Sequence, residues 1–328
     1  MLSIVRNNSP YTAILIFFFA LVVHFQGMLH ASLPIASDGQ FAYAWVLWLM
    51  SFLFGKSALA FSIFTVILLS VQALWLNVIV AQHKLFLHNT YLVSFSFIAL
   101  TALHPSLSSF NPLLLVNFLV ILSLQELLQL KNAQKVSKQL FNIGFLVMMA
   151  AILHFSAIFL ILFSFFAIAL LRPFVFKEWM ILLAGLLMPM YFLLVILFCA
   201  NKLYLMAQWP QLGISLPRQI SSAYYFLGLL VGLIIWMSLA LFNMQAQLPK
   251  APIYIRRCWI SITFLMIVSL FVAVFSKNEV IAVATICLPA LSLMLSQAFL
   301  NERSKKMNTI SFYFALALVL FCQIFLPS

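Results

Sequence analysis

Acidic residues are nearly missing from this chain: Asp and Glu number five among 328 residues, against seventeen Lys and Arg. Charged residues make up 7% and hydrophobic residues 66%, where a soluble domain carries about 25% charge. A soluble domain is therefore excluded, and the longest extramembrane pieces, about 31–56 and 201–219, are too short to fold alone. Cysteine is scarce too. Cys199, Cys258, Cys287 and Cys322 show no paired spacing, which implies neither a disulfide framework nor a zinc site and leaves them as packing residues. The first hydrophobic segment lacks a small-residue cleavage site and exceeds a signal-peptide core, so it reads as a retained helix. Ionisable residues are almost absent at mid-span depth, His24 being the nearest exception, and no inverted repeat is evident; both features count against an ion-coupled transporter.

What is present is a series of uncharged runs with basic borders: 57–83, 85–125, 139–171, 179–201, 219–249, 258–276, 280–301 and 307–328. A spanning helix needs roughly 20 apolar residues. The run 85–125 is too long for one span and breaks at His104-Pro105 through Asn111-Pro112. The run 139–171 has no proline, so charge must decide how often it crosses. If it turns back near His154-Phe155-Ser156, one side holds Arg6, Lys84, Lys131, Lys135, Lys138, Arg172, Lys177, Lys250, Arg256, Arg257, Arg303, Lys305 and Lys306. The other side keeps Lys56, Lys202, Arg218 and Lys277, a division of the seventeen into 13 and 4. A single crossing divides them 8 to 9. Cytoplasmic loops carry the excess of Lys and Arg, so the sequence predicts an all-α polytopic bundle of about eleven spans. Its N-terminus lies in the cytoplasm and its C-terminus in the periplasm of a bacterial inner membrane. The +12 net charge borders spans rather than forming one patch, which points to anionic lipid headgroups and not to nucleic acid.

The first outer loop carries a short aromatic segment, Phe41 to Phe54, with Tyr43, Trp45 and Trp48. It is too short to span and suits an interfacial helix that starts near Asp38 and ends at Gly55-Lys56. An early outer acid, a short aromatic helix and a long second span resemble the opening of the GT-C superfamily, membrane glycosyltransferases that use polyprenyl-phosphate-linked sugars. Three further stretches are similar to its protein-mannosyltransferase branch: Phe54-Gly55-Lys56-Ser57-Ala58-Leu59-Ala60 at the second span, Asn111-Pro112 opening the fourth, and Gly144 to Phe155-Ser156-Ala157 in a short helix pair. The resemblance covers about residues 10–175. It implies a GT-C-like transmembrane module over 1–178, followed by further spans over 179–328. The whole chain also resembles a family of Bacteroidota inner-membrane proteins of similar length, through Leu171-Arg172-Pro173-Phe174 and Lys177-Glu178-Trp179. That family brings no activity to transfer.

Among the acids, Glu126, Glu178 and Glu302 read as interfacial charges balancing Lys or Arg, and Glu279 as a helix start. Asp38 is the one acid in a substantial outer loop. It reads either as a helix N-cap or, as the resemblance implies, as the base that takes a proton from the attacking acceptor. A phosphate-linked donor needs cationic help at its leaving group, for which Arg218 and then Lys202 are the candidates; both also read as headgroup anchors. His30, His104 and His154 fall on or near the outer side as further substrate contacts. None has metal-ligand spacing, and no cofactor is implied. The mannosyltransferase branch carries a second outer acid where this chain has Asn111, which speaks against a metal-dependent mechanism. Two other classes stay open: a non-catalytic subunit of a cell-envelope complex, and a lipid or glycolipid flippase whose path would be lined by amides such as Gln72, Asn77 and Asn117.

Overall fold

The computed structural model describes residues 5–6, 9–36, 40–55, 57–86, 88, 90–107, 109–130, 136–210, 213, 223–276, 283–301 and 305–325. It is a helical bundle, with no β-strand among the described residues. The main helices are α1 (Pro10–Val23), α2 (Phe41–Phe54), α3 (Ala58–Gln82), α4 (Leu92–Thr101), α5 (Pro112–Gln129) and α6 (Val136–Leu153). They continue as α7 (Leu160–Leu171), α8 (Phe176–Cys199), α9 (Ala223–Gln247), α10 (Ile253–Val274), α11 (Leu288–Ser296) and α12 (Lys305–Phe325). Seven of the helices, α3, α5, α6, α8, α9, α10 and α12, are long and apolar enough to cross a membrane. The protein is thus a multi-pass membrane protein.

Local chemistry sets the boundaries. Ser57 caps α3 by accepting from the Ala60 amide at 3.4 Å, and Asn111 caps α5 by accepting from Leu114 at 2.9 Å, with Pro112 in the first turn. Helix α2 stops at Gly55, whose φ of +61° a side chain rarely tolerates. The run 139–171 is broken, as its charge borders require: α6 stops at Leu153, a 3₁₀ segment covers Phe155–Phe159, and α7 follows. The hairpin closes where Arg172 Nη1 donates to the Leu130 carbonyl at 3.4 Å, which returns the end of α7 to the end of α5.

Other contacts sort the helix ends into two groups. Near Arg172 lie Tyr254, whose hydroxyl donates to the Leu128 carbonyl at 2.8 Å, and Phe86, which stacks on Trp259 with centroids 5.8 Å apart. Tyr91 N donates to Val5 O there as well. This end carries Arg6, Lys84, Lys138, Arg172, Lys177, Lys250, Arg256, Arg257 and Lys306. At the opposite end His24 meets Thr101, Tyr43 meets Phe110, Gln323 meets Ala102 and His154 meets Ser276. Lys202 is the one Lys or Arg described there. The remaining members of the two expected groups, Lys131, Lys135, Arg303, Lys56, Arg218 and Lys277, lie outside the described residues, and nothing is described of the Lys305 side chain.

Every residue of α4 is buried. It packs against α3 and α11, and Phe95 stacks on Phe312 at 4.6 Å. A helix enclosed by protein need not match the bilayer by its own length. The segments 155–171 and 284–299 open on 3₁₀ turns, and the second also closes on one; these rise about 2.0 Å per residue against 1.5 Å in an α-helix, so each segment is roughly 28 Å long. Helices α6 and α8 touch backbone to backbone, because a Cβ on Gly144 would stand 2.5 Å from the Leu182 carbonyl and one on Gly185 would strike that of Phe141. Small residues drive such close packing in lipid, where no hydrophobic effect operates between helices. Gly185→Ala is therefore expected to destabilise the purified protein by about 1–3 kcal/mol. Gly27→Ala, where nothing lies within 4 Å, should leave the thermal midpoint in place.

Candidate functional site

At the end that lacks the basic cluster, α1 stops at His24, a short helix covers Phe25–Leu29, and the chain runs without regular structure through 31–36. His24 Nε2 lies 3.1 Å from Thr101 Oγ1. The Thr101 hydroxyl already gives its proton to the Ile98 carbonyl at 2.8 Å, so the imidazole donates from Nε2 and keeps Nδ1 as an acceptor. Across from it is the loop 104–111. His104 Nδ1 accepts from the Ser106 amide at 3.2 Å and meets its hydroxyl at 2.7 Å. Tyr43 Oη donates to the Phe110 carbonyl at 3.0 Å, which fastens the start of α2 to this loop. Burial raises the Tyr43 phenol, so it stays a neutral donor.

These elements enclose a cleft of about 260 Å³ lined by His24, His30, Ser32, Phe61, Ser62, Thr65, Ser106, Ser109 and Phe110 among others. A smaller cavity of about 30 Å³ adjoins it through His24, Gly27 and Pro105, with His104 and Gln323 in its wall. No family model, no characterised protein and no solved structure matches this chain. What the site can do must come from its own groups. Two imidazoles and several hydroxyls can hold a polyhydroxylated or phosphorylated group by hydrogen bonds. Among the described residues no carboxylate lines the cleft, and no cluster of three or more His, Cys, Asp or Glu could hold a metal ion.

The structure brings two of the sequence-derived candidates, His30 and His104, to these adjoining cavities. His154 stands elsewhere: it is buried at the α6–α7 turn, where its Nε2 lies 3.3 Å from Ser276 Oγ. Lys202 is exposed after α8 and lines neither cavity. Asp38 and Arg218 lie outside the described residues, as do Glu279 and Glu302. Glu178 pairs with Arg172 at 3.2 Å, as expected, whereas Glu126 accepts from Asn142 Nδ2 at 3.0 Å. The amides Gln72 and Asn117 line none of these cavities: Gln72 donates to the Leu114 carbonyl and accepts from Asn117 Nδ2 at 3.0 Å, both fully buried. Sequence reasoning passed over the hydroxyls Ser62, Thr65, Ser106 and Ser109. The one signal for them was the three-residue spacing of Ser62 and Thr65, which sets both on one face of α3.

Burial pushes His154 down to about 4 from its usual 6.5. The unfolded chain takes up this proton as pH falls from 6.5 toward 4 while the folded chain does not, so stability is lost across that window. The expected outcome is a thermal midpoint several degrees lower at pH 4.5 than at pH 7, with a shallower pH slope for His154→Gln.

Proposed function

We propose that the chain crosses the membrane eleven times with its basic end in the cytoplasm, and that its opposite end transfers a sugar or similar group from a polyprenyl-phosphate carrier, as in the GT-C superfamily. The observation that carries the proposal is the cleft of about 260 Å³ at that opposite end, walled by imidazoles and hydroxyls and fastened to α2. The exposed face of α2 bears Trp48, Leu49, Phe52 and Leu53, side chains that settle among headgroups, so a lipid-borne group can approach the cleft from the bilayer surface. The cleft falls below the 300–1,000 Å³ of drug-sized pockets and suits one sugar ring.

In this mechanism the acceptor hydroxyl or amine attacks the anomeric carbon, the bond from that carbon to the phosphate oxygen breaks, and the phosphate leaves as an anion. Asp38 takes the acceptor's proton. Arg218 bears on the departing phosphate, and His24 and His30 hold the ring hydroxyls. A non-catalytic membrane subunit is the second reading, favoured by the lack of any carboxylate in the described lining of the cleft.

Asp38→Asn separates the two. The enzymatic reading expects loss of complementation of a deletion phenotype, by at least a hundredfold in any transfer assay, with an unchanged thermal midpoint. Full complementation by the variant would instead leave the membrane subunit. Orientation is tested by cysteine labelling in intact cells, in a Cys199→Ser background because Cys199 is exposed beside Lys202: an impermeant maleimide should reach Lys202→Cys and not Lys84→Cys, and the reverse result would invert the topology.

A further inference from the structure

A second cavity lies at the basic end, far along the helices from the cleft, and the transfer reaction makes no use of it. It opens between the turn after α3 and the junction of α9 with α10, and measures about 90 Å³. The stacked rings of Phe86 and Trp259 bound it on the apolar side. Among the described residues Lys84 and Lys250 line it, and no carboxylate does.

Two features of this cavity are costly to the fold alone. Lys84 sits at φ +51°, the left-handed position of a helix C-terminal cap, where its own amide donates to Ala81 O and that of Leu85 to Val80 O. Glycine is the usual occupant there, because a Cβ strains the backbone. The matching cap after α8 uses Asn201 at φ +54°, a residue that tolerates the conformation. Next, Gln297 is 97% buried, at 3% exposure, and lines the cavity. Asn243 Nδ2 donates to its main-chain carbonyl at 3.1 Å, but its side-chain Oε1 is buried with no partner. An acceptor in that state calls for a donor from outside the protein.

We propose that this cavity binds the headgroup of an anionic phospholipid of the adjoining leaflet, a phosphate flanked by a free hydroxyl, as in phosphoglycerol. The phosphate lies against Lys84 and Lys250, a headgroup hydroxyl donates to Gln297 Oε1, and the glycerol carbons rest on Trp259. The acyl chains stay in the bilayer. The same chemistry is offered by a soluble phosphate ester, so the test carries both.

The full chain is purified in an uncharged detergent, and its thermal midpoint is followed against phosphatidylglycerol, phosphatidic acid, phosphatidylcholine and glycerol phosphate. Phosphatidylglycerol should raise the midpoint by several degrees, phosphatidic acid less, and the other two not at all. Lys84→Gly should weaken phosphatidylglycerol about fivefold, while its lipid-free midpoint stays equal or rises as the strained cap is relieved. Gln297→Leu should erase the preference for phosphatidylglycerol over phosphatidic acid. Equal shifts from phosphatidylglycerol and phosphatidylcholine, or undiminished affinity in Lys84→Gly, overturn the site. A shift from glycerol phosphate equal to that from phosphatidylglycerol overturns the lipid assignment.

Discussion

A Lys or Arg at the centre of a bilayer costs about 2.5–3.5 kcal/mol by insertion measurements, and more for an isolated helix. That cost orders this fold. It keeps the described basic residues at helix borders, and the α6–α7 hairpin brings Lys138 and Arg172 to the same end. The bond from Arg172 to the Leu130 carbonyl is the visible result. Several polar side chains inside the bundle are paired, as buried polar groups generally are, although single atoms such as Asn77 Oδ1 and Gln297 Oε1 are not. Gln72 and Asn117 pair with each other, and the hydroxyls of Ser94, Ser96 and Thr101 each donate to a main-chain carbonyl.

The molecule is asymmetric in its chemistry from end to end. The basic end is built from cations, one Arg172–Glu178 pair and the cavity under Lys84. The opposite end is built from imidazoles, hydroxyls and an aromatic helix, with a larger cleft. Each cavity is bordered by a turn held in its own way: the one at Lys84 by a positive φ, and the one from His104 to Asn111 by its own side-chain bonds.

Boundaries were legible in the sequence where a specific chemistry set them. The His154 break, the Asn111-Pro112 start of α5, the Gly55 stop of α2 and the hydrophobic runs themselves could be read from residue types and charges. Packing could not. In water an amphipathic stripe reports which face is buried, but lipid tails are as apolar as a protein core. Phe18 and Phe52, turned outward, therefore carry the same signature as Leu69 and Leu76, turned in. The expected span at 89–104 was found as a ten-residue helix buried at every position, and nothing in its composition announced the difference. The cleft was half legible. Its histidines stood out as rare residue types, whereas Ser62, Thr65, Ser106 and Ser109 are ordinary in a helix or a loop and gained meaning only when three segments met. His154 shared the expected side of the membrane with His30 and His104, but sidedness sets depth and not neighbours.

The enclosure of α4 bears on how the molecule is made. A translating ribosome delivers α4 long before α11 and α12, yet Phe95, which stacks on Phe19 of α1, finds two further ring partners, Phe299 and Phe312, on the last tenth of the chain. Until those residues emerge, a helix about 15 Å long must wait in a membrane roughly twice as thick, with its far side open to lipid. The early helices can enter the bilayer in order, but they cannot settle in order. A chain that stops short of α11 leaves the beginning of the protein unfinished as well as its end.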